Sequence, residues 1–370
     1  MKTEITTIIG TRPEIIRISE MVKRFDEVFT HRLIHTGQNF DKNLNEIFFD
    51  SMNLRKPDLA FSLTDLSLAD QLGKIFQLVE EELIKNRPDG VVILGDTNSG
   101  LSAIIAKRMN IPVYHLEAGN RSFDINVPEE INRKIIDHTA DFNLVYSESS
   151  RRNLLHEGLH HRTICLIGSP MKEVIKSNSL KIDASDILSR LQLAQGGFIL
   201  VSVHRQENIN KEDRVLELFD SLNQLATKFK IPVIVTTHPR TRQVIEKSGK
   251  KFDDRVKFKA PFDFHDYCKL QQTARIVLSD SGSLSEEAAI LGFNAITLRD
   301  SMERPEALET GSVIMSGLSF AAIEEAIFVT ESARTKPSSP IEYEIEDSSE
   351  RTLRFIVSTL GRHQFWTGRR

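Results

Sequence analysis

The chain has 370 residues, 40% of them hydrophobic and 27% charged, with a formal net charge of −4. That length favours two domains, and the composition supports buried cores on a soluble chain. The acidic balance argues against nucleic acid or anionic lipid as a main partner, and no apolar run reaches the roughly 20 residues of a membrane span. Cys165 and Cys268 lack metal-ligand spacing and fit a reduced, cytoplasmic setting. No metal and no cofactor is expected.

The first strand is Ile5 to Ile9, followed by Gly10-Thr11-Arg12-Pro13-Glu14 and a helix near Ile15 to Arg24. Pro13 suits a first helical turn, where a backbone N–H is not needed. His31 to His35 is a second strand. An amphipathic helix from Asp70 to Lys85 leads into strand Val91 to Leu94. Helix Ser99 to Met109, strand Val113 to Leu116, helix Pro128 to Thr139 and strand Asn143 to Tyr146 continue the alternation. This regular exchange of periods implies crossover units and a parallel sheet.

The pattern restarts after Ser169-Pro170. Lys172 to Ser189 reads as helical, with Asp183 as a cap. Strand Phe198 to Val203, helix Glu212 to Phe229, strand Val233 to Thr237, strand Ile276 to Ser279, a helix from about Leu284 and strand Ala295 to Arg299 follow. Arg334 to Ser349 reads as a linker. The last helix carries Leu353, Ile356, Val357 and Leu360 at one helical face and is expected to pack back on the N-terminal half. The division is residues 1–170, residues 171–345, and a C-terminal helical segment 346–370.

In an open α/β sheet, chemistry gathers at the carboxyl ends of strands. Here VVIL ends in Gly95-Asp96, and VYHL ends in Glu117-Ala118-Gly119. A loop then delivers Pro128-Glu129-Glu130-Ile131-Asn132-Arg133. Asp96, Glu117, Glu129 and Arg133 form the layout for proton transfer at a carbon acid, with a cation to balance the carboxylates. Each acid could instead be a cap or a salt bridge. Glu130 is assigned that structural role, because Glu129 and Arg133 share a face at i, i+4.

Asp280-Ser281-Gly282-Ser283, with Glu286 and Glu287, sits where a strand turns into a helix. Free N–H groups there can cradle phosphate, Gly282 permits close approach, and a carboxylate one turn on can hold ribose hydroxyls. An ordinary serine cap is the alternative. Arg12 and, one turn later, Arg17 offer a second anion site. His204 and His238 each end an apolar strand and could meet a diphosphate, or could be hydrogen-bonded structural histidines. No nucleophile elbow appears, and the turn after the first strand lacks G-x-G-x-x-G.

Taken in order, GTRPEIIR, HTGQNFD, GDTNS, HLEAGNRSFD, PEEINR, GSPMKEV, VSVHRQEN, THPRTR, DSGSLSEEA and ERPEALETG cover nearly the whole chain. This set resembles the non-hydrolysing UDP-N-acetylglucosamine 2-epimerase family. The resemblance implies a GT-B fold: α/β, two Rossmann-like doubly wound domains, with a nucleotide sugar in the cleft between them. It implies Asp96, Glu117 and Glu129 as the acid/base group, supported by Arg133, with His204 stabilising the departing UDP. Arg12, Ser281, Gly282 and Glu287 match UDP-binding positions, and His238 and Arg304 would line the cleft. A homodimer and a role in surface polysaccharide synthesis are also implied.

The chain departs from the common family form in three places. Arg17 stands where lysine is usual. Asn120 replaces leucine and precedes a shorter loop, and Ser283-Leu284-Ser285 replaces Gly-Ile-Gln. These variants resemble the branch acting on UDP-N-acetyl-6-deoxy-L-hexosamines, on the route to UDP-N-acetyl-L-fucosamine. The expected reaction is C2 epimerisation of a UDP-N-acetylhexosamine by loss and return of UDP through a 2-acetamidoglycal. A GT-B glycosyltransferase, a hydrolysing epimerase and a non-catalytic UDP-sugar sensor are the rival readings.

Overall fold

A computed structural model describes residues 2–37, 48–63, 66–203, 205, 208, 211–237, 244–245 and 249–367. The chain divides into two compact units, Met1–Lys176 with Glu342–Arg370, and Ser177–Ile341. Each is an α/β unit around one parallel sheet, the Rossmann-like architecture expected of a GT-B protein.

In the first unit the strands are β1 (Glu4–Ile9), β2 (Thr30–His35), β3 (Leu59–Ala60), β4 (Gly90–Leu94), β5 (Val113–Leu116), β6 (Phe142–Val145) and β7 (Ile164–Leu166). They form a seven-stranded sheet in the order β3-β2-β1-β4-β5-β6-β7. The pairing is parallel throughout: Ile8 lies opposite Ile34 on one side and Ile93 on the other. Every residue of β4, β5 and β6 is buried, as expected for strands covered by helices on both faces. The order reverses between β1 and β4, so Gly10 and Gly95-Asp96 open onto the same switch point.

In the second unit, β8 (Ile199–Ser202), β9 (Val233–Thr236), β10 (Val256–Lys259), β11 (Ile276–Ser279), β12 (Ala295–Thr297) and β13 (Ile314–Met315) form a six-stranded sheet, β10-β9-β8-β11-β12-β13. Its switch point lies between β8 and β11, where Arg205 and the Asp280-Ser281-Gly282 turn emerge. Among the described residues no helix is long and apolar enough to cross a membrane.

Several local expectations are corrected. The helix expected over Lys172 to Ser189 is three short helices, Met171–Ser177, Ser179–Asp183 and Ile187–Leu191. Asp183 ends the second rather than capping one. Within the second unit the breaks are tied down: Asn178 Oδ1 lies 2.9 Å from His265 Nε2, and Ser185 Oγ donates to Asp266 at 2.6 Å. The segment read as a linker is exposed throughout its first five residues, but beyond them it alternates between exposed and anchored positions. Tyr343 is fully buried, and Glu342 accepts a hydrogen bond from the Glu148 N–H at 3.2 Å.

The last long helix, Ser348–Leu360, does pack on the first unit, but through Thr352, Leu353, Ile356 and Thr359. Val357 is 57% exposed, which corrects its place on the buried face. Thr359 Oγ1 meets the Tyr114 hydroxyl at 2.9 Å, and His363 meets Asp141 at 2.7 Å. Tyr114 stacks on Phe142 with ring centroids 4.9 Å apart, and Phe355 stands edge-on to both rings.

Candidate active site

The first-unit site is built from the turns after β1, β4 and β5 and from helix Glu129–Thr139. Leu116 runs into Glu117 at φ +66°, a left-handed conformation that costs a non-glycine residue about 1 kcal/mol or more. Such an outlier at a strand end, with a charged side chain, is a pointer to function. Glu117 Oε2 accepts from Arg17 Nη1 at 2.9 Å, and Oε1 lies 3.4 Å from Asn120 Nδ2. Asn120 is itself oriented by Ser150, whose hydroxyl donates to it at 2.8 Å. Arg17 and Asn120, two of the three departures noted in the sequence, therefore both reach the same carboxylate.

Asp96 is held by Arg133, which donates from Nε at 2.8 Å and whose Nη2 lies 2.7 Å away. Nη1 of the same arginine donates to Glu130 at 2.8 Å. The i, i+4 relation expected between Glu129 and Arg133 thus gives way to an i, i+3 pair with Glu130. Glu130 also accepts from the Ser122 N–H and hydroxyl, at 3.0 and 3.1 Å. Burial would raise its pKa, but the bonds from Ser122 and Arg133 outweigh that and hold it below the usual glutamate value. Glu130 fixes the loop, while Glu129 stands half-exposed at the start of the helix.

Beneath these turns lies a network that the sequence reading did not single out. His115 Nδ1 is 2.8 Å from Asp137, and its Nε2 donates to the Gly95 carbonyl at 2.8 Å. Asp137 also accepts from the Gly119 N–H at 3.1 Å and from Arg121 at 2.7 Å. One buried histidine and one buried aspartate therefore tie the Asp96 turn to the Glu117 turn. The signal available in sequence was only a histidine within an otherwise apolar strand.

At the end of β1, Gly10 packs so tightly that an added Cβ would fall 1.9 Å from Ser99 Oγ and 2.6 Å from Thr36 Oγ1. Arg12 opens the following helix, half-buried, its guanidinium 5.8 Å from the centre of the Phe48 ring. Glu14, also not singled out, is buried. Its carboxylate accepts from the Gly10 N–H at 2.7 Å and from the Thr11 hydroxyl at 2.8 Å. Its signal was present as Thr11-x-x-Glu14, the spacing of a helix capping box.

In the second unit, Asp280 is fully buried and accepts from the Arg205 N–H and from Asn208, each at 3.0 Å. Ser281 Oγ and Ser283 Oγ are 2.9 Å apart, and the helix Leu284–Leu291 begins without a side-chain cap. Gly282 is needed for close approach, since an added Cβ would meet Arg304 Nη1 at 2.8 Å. Arg304 donates to the Gly282 carbonyl at 3.0 Å and lies 3.2 Å from Glu286. Glu287 accepts from Gln271 at 2.5 Å. Arg205 and Arg299 both donate to Glu303, at 2.9 and 2.5 Å. A recess beside Ser281 and Gly282 is walled by Thr297, Arg299, Glu303 and Arg304. His204 and His238 lie outside the described residues.

The structure therefore brings Arg17 onto Glu117 and Arg133 onto Asp96 in the first unit, and Arg304 onto the Ser281-Gly282 turn in the second. A family model for UDP-N-acetylglucosamine 2-epimerase matches residues 23–357. The chain is 34% identical over 336 residues to UDP-2,3-diacetamido-2,3-dideoxy-D-glucuronate 2-epimerase of Pseudomonas aeruginosa, covering 90% of this chain and 92% of the relative. Among solved structures, UDP-N-acetylglucosamine 2-epimerase from Rickettsia bellii is 40% identical with a TM-score of 0.90, covering 98% of each chain. The Methanocaldococcus jannaschii UDP-GlcNAc 2-epimerase, solved in complex with UDP-GlcNAc and UDP, is 30% identical with a TM-score of 0.90, covering 96% of this chain and 100% of that one. The chain belongs to the UDP-N-acetylglucosamine 2-epimerase family and is an isomerase of that type.

Proposed function

We propose that this enzyme inverts C2 of a UDP-N-acetylhexosamine by eliminating and re-adding UDP. A carboxylate removes the C2 proton while the C1–O bond breaks and UDP leaves with the bonding pair. The product is a 2-acetamidoglycal with a C1–C2 double bond. A second acid returns a proton to the opposite face of C2, and a UDP oxygen adds back to C1. The observation that carries this reading is that Glu117 and Asp96, on neighbouring strand ends, are each oriented by their own arginine. Preorganised acids of this kind suit proton transfer at a fixed carbon. Glu129, half-exposed, is the third member of the group.

For the nucleotide, the reading assigns Arg12 in the first unit, with Arg17 beside it. In the second unit it assigns Ser281, Gly282, Glu287 and Arg304. His204 and His238 belong to the same assignment by motif. The relatives support a UDP-sugar: the M. jannaschii enzyme was solved with UDP-GlcNAc and UDP. The finer proposal is a 6-deoxy-L-hexosamine as substrate, leading to UDP-N-acetyl-L-fucosamine. It is supported by Arg17 and Asn120, which differ from the common family form and contact Glu117. The reading also includes a cytoplasmic homodimer supplying surface polysaccharide synthesis.

Proton NMR in D₂O with a panel of UDP-N-acetylhexosamines tests this. Deuterium entering C2 with UDP retained supports it, and the sugar that reacts names the substrate. Sugar transfer without label points to a glycosyltransferase, and free UDP with released N-acetylmannosamine to a hydrolysing enzyme. Tight UDP binding with no exchange for any sugar points to a sensor.

A further inference from the structure

The sequence Thr11-Arg12-Pro13-Glu14 has capping-box spacing, yet its hydrogen bonds run differently. In a capping box the N-cap hydroxyl accepts from a backbone N–H of the first turn. Here the Thr11 hydroxyl donates to Glu14 Oε1 at 2.8 Å, and the helix start has no side-chain cap. Glu14 Oε2 accepts the Gly10 N–H at 2.7 Å. As a carboxylate, Glu14 can only accept, so it fixes the Thr11 hydroxyl inward. As a neutral acid it still accepts from Gly10, and its own O–H can donate to Thr11 Oγ1. The Thr11 hydrogen is then free to turn outward.

Thr11 is half-exposed at the N-terminus of the helix that carries Arg12. We propose that Glu14 is a positioning residue that couples uptake of one proton to diphosphate binding at this turn. Protonation removes a negative charge behind the anion and releases the Thr11 hydroxyl to donate to it. This rests on the assignment of Arg12 to UDP.

The surroundings favour such a role. Burial lifts the Glu14 pKa to about 7, with Asp96 raising it further and the bonds from Gly10 and Thr11 opposing the rise. From the turn after β4, Asp96 and Thr97 act on it, and Asp96 is paired with Arg133. On its own helix are Arg12 and also Arg17, which is paired with Glu117 from the turn after β5. At the end of β2, burial holds His35 near pKa 4, so that imidazole is neutral at physiological pH. An incoming diphosphate adds negative charge and pushes the proton onto Glu14.

Isothermal titration of the full chain with UDP at pH 8, in two buffers of different ionisation enthalpy, reads the coupled proton directly. At that pH the UDP phosphates are fully ionised. The native protein should take up close to one proton per UDP, and its affinity should fall about fivefold from pH 7 to 8 and roughly tenfold from pH 8 to 9. In Glu14→Gln the amide can donate to Thr11 and accept from Gly10. That variant should bind UDP at least as tightly as the native protein at pH 8, and should lose the Glu14 share of the uptake. The difference between the two proteins cancels any proton taken up by His204 or His238. Native binding without net uptake, or equal uptake in Glu14→Gln, overturns the proposal. Absence of UDP binding at every pH overturns the Arg12 assignment as well, so the two failures are distinct. Should Glu14→Gln fail to fold, native uptake that persists when His204 and His238 are both replaced by Gln supports the proposal, and uptake that vanishes with them overturns it.

Discussion

Arg17 Nη1 and Glu117 Oε2 lie 2.9 Å apart across 100 positions of sequence, with only 7% and 13% of their side chains exposed. The pair joins the first helix to the turn after β5. It also places the guanidinium where it fixes the direction of a carboxylate whose backbone already sits in a left-handed conformation.

Glu117→Gln should therefore keep the geometry and lose the proton transfer. We expect C2 exchange in D₂O to fall by roughly 10²- to 10⁴-fold, the usual range for a positioned acid or base. UDP affinity by calorimetry should change little. Exchange at the native rate would remove Glu117 from the mechanism.

Arg17→Met strands a nearly buried carboxylate, and breaking such a pair from one side costs about 3–5 kcal/mol. Adding Glu117→Gln should recover part of that loss. Denaturant unfolding of the four proteins in a double-mutant cycle measures it, and strictly additive effects would show that the pair is not coupled.

Glu129 and Glu130 are adjacent in sequence but should behave oppositely. Glu130→Gln weakens the bonds that hold Ser122 and Arg133, so it should lower Tm by several degrees. Glu129→Gln should leave Tm within about a degree and reduce C2 exchange. The reverse pattern would exchange their roles.

His115→Phe removes the buried imidazole that bridges the Gly95 carbonyl and Asp137 and leaves that carbonyl without its donor. The expected cost is about 2–4 kcal/mol in unfolding free energy, with kcat falling more than UDP affinity. Unchanged kcat in a folded variant would mean that the Asp96 and Glu117 turns do not depend on this link.

Glu14 also makes stability depend on pH. Its native pKa is raised by burial from 4.5 to about 7, so the native state keeps a proton that the unfolded chain has lost. The stability that goes with this is fully present below about pH 4.5 and is lost as pH rises through about 7. Above pH 7 Glu14→Gln should be the more stable protein, by at most about 3 kcal/mol, and the advantage should vanish near pH 4.5. A Tm difference independent of pH would contradict the assignment.

The sequence by itself determined the alternation of helix and strand, and with it two parallel sheets. Buried strands such as Val91 to Leu94 are apolar throughout, and turn residues punctuate them at every end. It also placed Asp96, Glu117, Glu129 and the Ser281 turn at strand ends or helix starts, because those positions are local properties of the chain.

Pairing was not local, and only the tertiary structure decided it. Arg133 lies four residues from Glu129, yet it bonds Glu130 and Asp96, because the strand order sets β4 beside the helix start. Asp137, Arg121 and His115 look like unrelated surface or core residues until parallel pairing stacks their turns. The break of the helix at Asn178 and the exposure of Val357 have the same origin: contacts with distant elements override the helical period. The protonation of Glu14 is likewise set by burial beside Asp96, which no spacing within Thr11-Arg12-Pro13-Glu14 encodes.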